Sequence, residues 1–411
     1  MSILNKKSRE ELLSLGQFFT KEREAKFMVN LIKNDGLVLE PSCGDGALLK
    51  HLGSNVVSIE LDESVAPKNS IVMDFFDYDI SNKFSTIIGN PPYVANNKIL
   101  PSTRKKLLSY SSWSGKTNLF VLFIEKCLLH LKPGGELIFI VPSIFLKATS
   151  CRKLNLKSFA QGTITDMVLF GDVTPFGADA APEHETCIFR YEKDNFERLT
   201  KMYSLDAKKT NIKFDFSKKY FVDDSGMSFF FKKETAVNEL IKIGDYFEVK
   251  VGAVSGLDEF YIDEKRGNKD YVFSKTRITN NTRRMIEEHS PSPWLIQNKE
   301  KLIKRKIKNQ WTEQDWWKWG RPQPKMKGRR FYVNAKTRIE NPFFYNECEN
   351  YDGSVLAIFP KDDKMNLKNV IEVFNNIDWV TLSVKVGNRF IFKQKVIKNC
   401  YLTLDQLRNC Y

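Results

Sequence analysis

Residues 90–93 read Asn-Pro-Pro-Tyr and directly follow a short apolar segment, 86–88, that predicts a strand. The prolines Pro91 and Pro92 fix the backbone, so the Asn90 side-chain oxygen and the Pro91 carbonyl oxygen can point at one target. Two acceptors suit an amino group with two N–H donors, and the ring of Tyr93 suits a planar group. The alternative is a proline-stiffened turn without chemistry. The segment therefore predicts a site for a planar amine.

A second segment, Glu40-Pro-Ser-Cys-Gly-Asp-Gly46, is a predicted strand end followed by a turn. Its glycines let the backbone approach a ligand closely, and an acidic residue about 20 positions further on can bind ribose hydroxyls. Glu60 stands at that distance from Glu40. Further on, Asp74 could accept from an exocyclic amine and Phe75 could lie on a base. An ordinary strand-to-helix turn, with Phe75 as a core residue, is the alternative to this nucleoside site.

In this order the segments resemble the N6-adenine DNA methyltransferases of the gamma motif order, the restriction-modification type that uses S-adenosylmethionine. The resemblance covers about residues 15–191 and includes Leu15-Gly-Gln-Phe-Phe-Thr20, which matches the family's N-terminal cofactor motif. Segments 116–120 and 132–142 resemble the motifs that follow the catalytic one. The resemblance implies that S-adenosylmethionine is bound by Thr20, Glu40, Pro41, Cys43, Gly44, Gly46, Glu60, Asp74, Phe75, Asn90 and Pro92.

The resemblance also assigns methyl transfer to Asn90, Pro91, Pro92 and Tyr93, joined by Phe176, an aromatic residue expected to pack on the flipped base. Adenine N6 is a weak nucleophile because its lone pair is delocalised into the ring. Acceptors must therefore draw density onto the nitrogen and align it with the sulfonium methyl. Since N6 lies inside the duplex, the base must also be extruded. This scheme requires neither a metal nor a general base.

Strands and helices alternate in the first half of the chain, which predicts an α/β domain. We expect a Rossmann-like methyltransferase fold, a mixed seven-stranded sheet with helices on both faces. The sequence becomes polar and lysine-rich over residues 194–220. We therefore place the catalytic domain at residues 1–200 and an α+β domain for DNA target recognition at residues 201–411.

The net charge of +14 is concentrated in the second half of the 411 residues. Residues 1–194 hold 23 basic and 22 acidic groups, whereas residues 195–411 hold 41 and 28. Residues 299–330 combine 12 Lys and Arg with four tryptophans, which suits DNA contact; the alternative is a solvated face over buried tryptophans. Residues 94–115 are expected to form a loop that orders against DNA. The predicted DNA-binding residues are Arg104, Lys105, Lys106, Lys116, Trp319, Arg321, Lys325, Lys327, Arg329 and Arg330.

Composition narrows the class of protein. With 42% hydrophobic and 28% charged residues the chain is of ordinary globular type. No apolar run approaches the ~18 residues of a membrane span, and the start lacks a secretory pattern. Seven cysteines without a C-x-x-C pair, and four histidines apart from them, predict neither a disulfide framework nor a metal site. We expect a cytoplasmic monomer that acts on double-stranded DNA away from membranes, with a cognate restriction endonuclease as a partner.

Three rival functions remain at this stage. The same tetrapeptide occurs in methyltransferases for protein glutamine, against which the basic second half argues, and in those for RNA bases, which stay open. A nuclease is hinted at by Glu248-Val-Lys250 with Asp223 and Asp224 upstream. A DNA-binding protein with an inactive transferase fold is disfavoured because the acidic residues and the tetrapeptide are intact.

Overall fold

The computed structural model describes residues 16, 18–170, 186–206, 208–287, 290–305, 311–379, 385–386 and 389–411. The chain divides into two compact units: residues 1–235 with 381–388, and residues 236–380 with 389–411. The division therefore lies at Thr235, later than the boundary expected at residue 201. The reason is that the strands between residues 199 and 232 pair with the sheet of the first unit.

The first unit contains one sheet of ten strands in the described part of the chain, with the order β10-β9-β8-β6-β7-β5-β4-β1-β2-β3. In chain order the strands are β1 (Val38–Glu40), β2 (Val56–Glu60), β3 (Ile71–Val72), β4 (Phe84–Gly89), β5 (Leu131–Pro142), β6 (Gly162–Leu169), β7 (Thr186–Lys193), β8 (Leu199–Leu205), β9 (Ile212–Val222) and β10 (Ser228–Lys232).

Strands β3, β2, β1, β4 and β5 are parallel, and β7 is antiparallel to both β5 and β6. The expectation of seven strands is thus too low, because β8, β9 and β10 continue the sheet beyond β6. The strand order reverses between β1 and β4. In open α/β sheets this reversal opens a crevice at the carboxyl ends of the strands, where ligands bind.

Helices cover both faces of this sheet. Along β5, Leu137 and Phe139 pack in one core cluster with Phe123, whereas Ile138 and Ile140 pack in another with Met28. This alternation is what a strand buried on both sides requires. The helices of the first unit are α1 (Glu22–Asn30), α2 (Pro101–Leu107), α3 (Leu119–His130) and α4 (Arg152–Gln161); short 3-10 turns are formed by Leu49–His51, Phe75–Asp77, Asn96–Lys98, Ser143–Leu146 and Thr149–Cys151.

The second unit consists of short helices and small sheets, an α+β arrangement. Its main sheet has the order β12-β18-β15-β17, and the pairs β11-β21, β13-β14 and β16-β20 are formed beside it. The strands of this unit are β11 (Leu240–Lys242), β12 (Phe247–Val251), β13 (Lys269–Tyr271), β14 (Arg283–Met285), β15 (Phe331–Asn334), β16 (Lys336–Thr337), β17 (Phe343–Phe344), β18 (Val355–Pro360), β20 (Arg389–Ile391) and β21 (Tyr401–Thr403). The strand β19 (Lys385–Val386) lies in the segment that belongs to the first unit.

The helices of the second unit are all shorter than ten residues in the described ranges. They are α5 (Ile243–Tyr246), α6 (Asp258–Tyr261), α7 (Thr276–Thr279), α8 (Pro293–Gln297), α9 (Lys299–Ile303), α10 (Leu367–Asn375), α11 (Gln394–Asn399) and α12 (Leu404–Arg408), with a 3-10 turn at Val237–Glu239. Across both units, the described helices are too short or too polar to cross a membrane.

Candidate active site

A cleft of about 1060 Å³ opens at the carboxyl ends of β1, β2 and β4, where the strand order reverses. Of the residues expected to bind the cofactor, only Gly46 is absent from its lining. Gly46 has φ +79°, a conformation that favours glycine, so it shapes the turn after β1. The predicted residues that line the cleft are Thr20, Glu40, Pro41, Cys43, Gly44, Glu60, Asp74, Phe75, Asn90 and Pro92.

Glu60 ends β2 and holds the turn after β1. Its Oε2 accepts from the backbone N–H of Gly44 at 2.8 Å, and its Oε1 accepts from that of Asp62 at 3.0 Å. Burial raises the pKa of Glu60. Each carboxylate oxygen can accept more than one hydrogen bond, so a ribose hydroxyl can join these contacts.

Glu40, the last residue of β1, is buried at the base of the cleft. Its Oε2 has no hydrogen-bond partner within the described residues. Burial, reinforced by the negative charges of Glu60 and Asp45, raises the pKa of Glu40 well above its ordinary value. A buried carboxylate without a partner is costly, so this position favours a ligand group that carries positive charge or N–H donors.

Asp74 is oriented by helix α2, which packs over it. Its Oδ1 accepts from the backbone N–H of Phe76 at 3.0 Å, and its Oδ2 accepts from Thr103 Oγ1 at 2.8 Å and from Lys106 Nζ at 2.9 Å. Lys106 also pairs with Asp77 at 2.5 Å. Lys106, which was predicted to contact DNA, thus forms ion pairs beside the cleft. Residues 94–115, expected to form a loop, contain the 3-10 turn Asn96–Lys98 and helix α2.

Phe75 is both a core residue and part of the cleft wall. The ring is 3% exposed and lies 5.0 Å from the ring of Phe123, measured between centroids. Lys126 Nζ lies 4.9 Å from the Phe75 centroid and donates to the Tyr78 carbonyl oxygen at 2.7 Å. Burial lowers the pKa of Lys126 to about 8. Phe75 is thus a core residue that also lines the cleft, and its contact with the cofactor's adenine stays a prediction.

The amide of Asn90 is fixed from one side. Its Nδ2 donates to the carbonyl oxygen of Phe18 at 2.5 Å and to Thr20 Oγ1 at 3.2 Å. A carbonyl can only accept, so the nitrogen must face Phe18 and the oxygen must face away. Asn90 Oδ1 is buried and has no hydrogen-bond partner in the described residues. This oxygen can therefore accept a hydrogen bond from a donor group in the cleft.

Tyr93 belongs to the same turn but lies outside the lining of the cleft, as does Pro91. The Tyr93 hydroxyl donates to the Ile140 carbonyl oxygen at 2.7 Å, and its ring stacks on Phe18 with centroids 5.2 Å apart. Phe18 and Thr103 are thus site residues that spacing arguments missed, although Phe18 lies inside the N-terminal motif. Phe176 lies outside the described residues.

The predicted DNA-binding residues fall into two groups. In the first unit, Lys105 and Lys116 are exposed, and the guanidinium of Arg104 lies 6.0 Å from the Trp113 ring centroid. In the second unit, the exposed residues are Arg321, Lys325, Lys327 and Arg329.

Trp319 and Arg330 are buried, which contradicts their expected exposure to DNA. The Trp319 indole nitrogen donates to the Ile286 carbonyl oxygen at 3.1 Å, and Arg330 pairs with Glu349 at 2.9 Å. Trp319 packs in a cluster with Trp311 and other apolar side chains. The alternative weighed for this region, buried tryptophans beneath a charged face, therefore describes Trp319, whereas the burial of Arg330 was not expected.

The hint of a nuclease at Glu248 has another explanation. Its carboxylate pairs with Lys250 and Lys398, each at 3.0 Å. These ion pairs lower the pKa of Glu248 by hydrogen bonding, although burial opposes the shift. In the described ranges, no three His, Cys, Asp or Glu side chains are grouped so that they could hold a metal ion.

Comparison with known proteins places the N-terminal part of the chain in a defined class, the restriction-modification methyltransferases. Residues 10–176 match the family model described as Eco57I restriction-modification methylase. The match covers fewer than half of the residues of the chain, and it confirms the predicted resemblance to restriction-modification methyltransferases.

Two curated relatives illustrate the similarity. The Type II methyltransferase M.HincII of Haemophilus influenzae is 32% identical over 208 residues, which are 48% of this chain and 41% of that protein. M.TthHB8I of Thermus thermophilus is 33% identical over 184 residues, 39% of this chain and 42% of that protein. The chain thus aligns with about two fifths of the length of each relative.

One solved structure extends the similarity of fold. The Type IIL restriction-modification enzyme MmeI, determined in complex with DNA, is 12% identical to this chain with a TM-score of 0.58. The match covers 95% of this chain and 64% of MmeI. At this identity the similarity describes the fold alone.

Proposed function

We propose that the chain is a site-specific, adenine-specific DNA methyltransferase that transfers a methyl group from S-adenosylmethionine to the N6 amino group of a flipped-out adenine. The observation that carries this proposal is the buried Oδ1 of Asn90, which has no hydrogen-bond partner in the described residues, in the lining of the cleft. The match of residues 10–176 to the family model described as Eco57I restriction-modification methylase supports it.

The residues of the cleft fit S-adenosylmethionine, which supplies an electrophilic methyl group on a sulfonium. Glu60 offers carboxylate oxygens to the ribose hydroxyls, and Asp74 and Phe75 offer an acceptor and a ring to the adenine. The unpartnered Oε2 of Glu40 suits the positively charged methionine portion. Thr20, whose hydroxyl accepts from Asn90, is proposed to contact the methionine portion next to the target amine.

Asn90 and Pro91 prepare the nucleophile. The Asn90 Oδ1 and the Pro91 carbonyl oxygen accept the two N6–H bonds, which draws electron density onto N6 and orients its lone pair toward the methyl group. The rigid hold on Asn90 from Phe18 and Thr20 means that its acceptor needs no reorganisation during the reaction. After transfer, the methylated nitrogen loses one proton to solvent.

Tyr93 and its surroundings suit the extruded base. The Tyr93 hydroxyl is anchored to Ile140, so its ring has a fixed orientation. Because Phe18 stacks on this ring, an adenine that packs on Tyr93 uses the face opposite Phe18 or displaces Phe18. Extrusion costs a few kcal/mol, which stacking in the pocket offsets.

The second unit is proposed to recognise the DNA target, and a cognate restriction endonuclease is the proposed functional partner of the monomer in the cytoplasm. The +13 excess of charge in residues 195–411 supports a polyanionic partner. The relatives named above are Type II methyltransferases, which favours DNA over RNA.

A methyl-transfer assay tests the proposal. The full chain is incubated with isotopically labelled S-adenosylmethionine and either unmethylated duplex DNA, RNA or a protein extract, and the labelled product is identified by mass spectrometry. We expect N6-methyladenine in DNA alone. Label in RNA or protein only, or no label at all, would overturn the proposal.

A pair of asparagine variants links the activity to the site. Asn90→Ala removes the unpartnered acceptor, so methyl transfer should be lost while S-adenosylmethionine still binds. Asn97→Ala changes an exposed asparagine in the same segment and should retain wild-type activity. Equal activity in the two variants would remove Asn90 from the mechanism.

A further inference from the structure

A depression of about 1250 Å³ lies on the second unit, lined by residues of the segments 328–330, 345–349 and 367–371. Tyr345 stands on its wall with 53% of its surface exposed. The two preceding residues, Phe343 and Phe344, are buried and paired with β15. The backbone therefore holds the Tyr345 ring outward on a firm support.

The short helix α7 and the two residues after it, together residues 276–281, form a turn that adjoins this depression. Asn346, in the lining, donates through Nδ2 to both the backbone oxygen and Oδ1 of Asn280, each at 3.4 Å. The turn is closed by a hydrogen bond from Thr276 Oγ1 to the Asn281 carbonyl oxygen at 2.8 Å, and Asn280 has φ +59°. These bonds make the turn an ordered element.

Ile278 projects from this turn. At 76% exposure it is the most exposed large hydrophobic side chain in the described part of the chain. An apolar side chain held in water by an ordered turn gains nothing for folding, because its surface stays hydrated. Its placement therefore favours contact with a partner.

The lining of the depression holds more cations than carboxylates, and two of its cations, Arg329 and Lys368, are exposed. Lys325 and Lys327 are also exposed, in the segment that directly precedes the lining residue Gly328. Of the carboxylates in the lining, Glu349 pairs with Arg330, and Glu347 is exposed. These cations lie on two chain segments, 325–329 and the first turn of α10. A polyanion can therefore be contacted from both segments.

We propose that this surface, the reading face, contacts base edges in duplex DNA through Ile278, Asn280 and Tyr345, and contacts phosphates through Lys325 and Lys327. The chemistry fits a groove: an asparagine amide pairs with adenine, an apolar group meets the thymine methyl, and lysines position the backbone. Single strands are held by rows of stacked aromatics, whereas the lining described here presents one ring. The inference rests on the proposed function and names the side chains that give it sequence specificity.

Base preference is the first test. The full chain methylates a random-sequence duplex library with S-adenosylmethionine, and sequencing of the methylated products defines the preferred site. Asn280→Gly keeps the backbone conformation and removes the amide, whereas Ile278→Ala and Tyr345→Ala shorten exposed side chains. Each should relax the preference at one base position, by roughly five- to hundredfold.

Salt dependence is the second test, measured as binding of a fluorescent duplex over a range of salt concentrations. Lys325→Ala with Lys327→Ala should lower the slope of log affinity against log salt by about 1.8, since each phosphate contact contributes about 0.9. Lys393→Ala with Lys395→Ala changes two exposed lysines on a segment that contributes no residue to the lining of the depression, and it should leave the slope unchanged.

The outcomes separate this inference from the proposed function. A defined methylation site that all three reading-face variants retain, with an unchanged salt slope in the Lys325 and Lys327 variant, would overturn the reading face and leave the methyltransferase in place. If the wild-type chain methylates no DNA, the proposed function fails. The salt slope then decides independently whether this face binds duplexes.

Discussion

The side-chain nitrogen of Asn90 lies 3.2 Å from the hydroxyl oxygen of Thr20. This contact joins the N-terminal motif to the catalytic tetrapeptide, which are separated by 70 residues in the sequence. Together with the Phe18 carbonyl oxygen, Thr20 fixes which end of the amide faces the cleft. Thr20 thus acts as a positioning residue in addition to its proposed contact with the cofactor.

Replacement of Thr20 by Val should therefore lower kcat by about 10- to 100-fold, because a misplaced acceptor costs alignment of the nucleophile. Thr20→Ser retains the hydroxyl and should restore most of kcat. Steady-state kinetics with duplex DNA provide the measurement. Equal kcat in the Val and Ser variants would show that the hydroxyl does not position Asn90.

Lys106 and Lys105 form a matched pair of neighbouring lysines. Lys106 pairs with Asp74 and Asp77 beside the cleft, whereas Lys105 is exposed. Lys106→Met should weaken S-adenosylmethionine binding by about 3- to 10-fold and leave the salt slope of DNA binding unchanged. Lys105→Met should leave S-adenosylmethionine binding unchanged and lower the salt slope of DNA binding by about 0.9. Calorimetry and duplex binding measure the two effects, and an exchange of the two results would contradict the assignment.

The sequence predicted the positions along the chain that line the cleft because parallel strands bring their carboxyl ends to one edge. Glu40 and Glu60 end β1 and β2, Asn90 follows β4, and the structure places all three in one cleft. The partner of Lys106 could not be predicted in this way. It depends on how α2 folds back over Asp74, and a basic residue in a polar segment gives no sign of that contact.

The three additional strands of the first unit's sheet could not be predicted from the sequence for a related reason. Strand β9 carries several lysines and is exposed over its first half, so its composition is typical of a linker. In the described part of the chain, the half of β9 before Lys218 pairs with β8 only, so it lies open on one side. Charges on such an open edge discourage pairing with other chains. Similarly, the charge of residues 299–330 did not reveal that Arg305 and Trp319 are buried.

Because His130 is buried, we expect the unfolding free energy to depend on pH. Its Nδ1 lies 2.8 Å from the Asn82 carbonyl oxygen, and burial lowers its pKa to about 4. Between pH 6.5 and about 4 the unfolded chain binds a proton that the folded chain does not, so stability should fall as pH falls through this window. The loss attributable to His130 should approach ~3 kcal/mol.

Urea unfolding of the wild type and of His130→Phe, followed at several pH values, measures this effect. The variant keeps an aromatic ring beside Phe75 and Tyr78 but has no group that titrates in this range. The difference in unfolding free energy between the two proteins should therefore change with pH below 6.5 and be constant above it. A constant difference throughout would rule out the buried neutral histidine.

The buried side chain of Arg305 is expected to stabilise the second unit. Its guanidinium donates to the carbonyl oxygens of Ser255 at 2.6 Å, Leu302 at 2.8 Å and Lys318 at 2.9 Å, and lies 4.0 Å from the Trp311 ring centroid. Arg305→Met would leave these buried acceptors without donors, so it should cost about 3 kcal/mol or more of unfolding free energy.

The exposed neighbour Lys304 supplies the control, because Lys304→Met removes the same charge without removing a buried donor. Unfolding by urea, followed by tryptophan fluorescence, should show a large loss of stability in the Arg305 variant and a change within about 0.5 kcal/mol in the Lys304 variant. Arg305→Lys should fall between them, since lysine keeps the charge but lacks the planar fork of donors. If the two methionine variants lost the same amount of unfolding free energy, the buried hydrogen bonds of Arg305 would not be what stabilises the second unit.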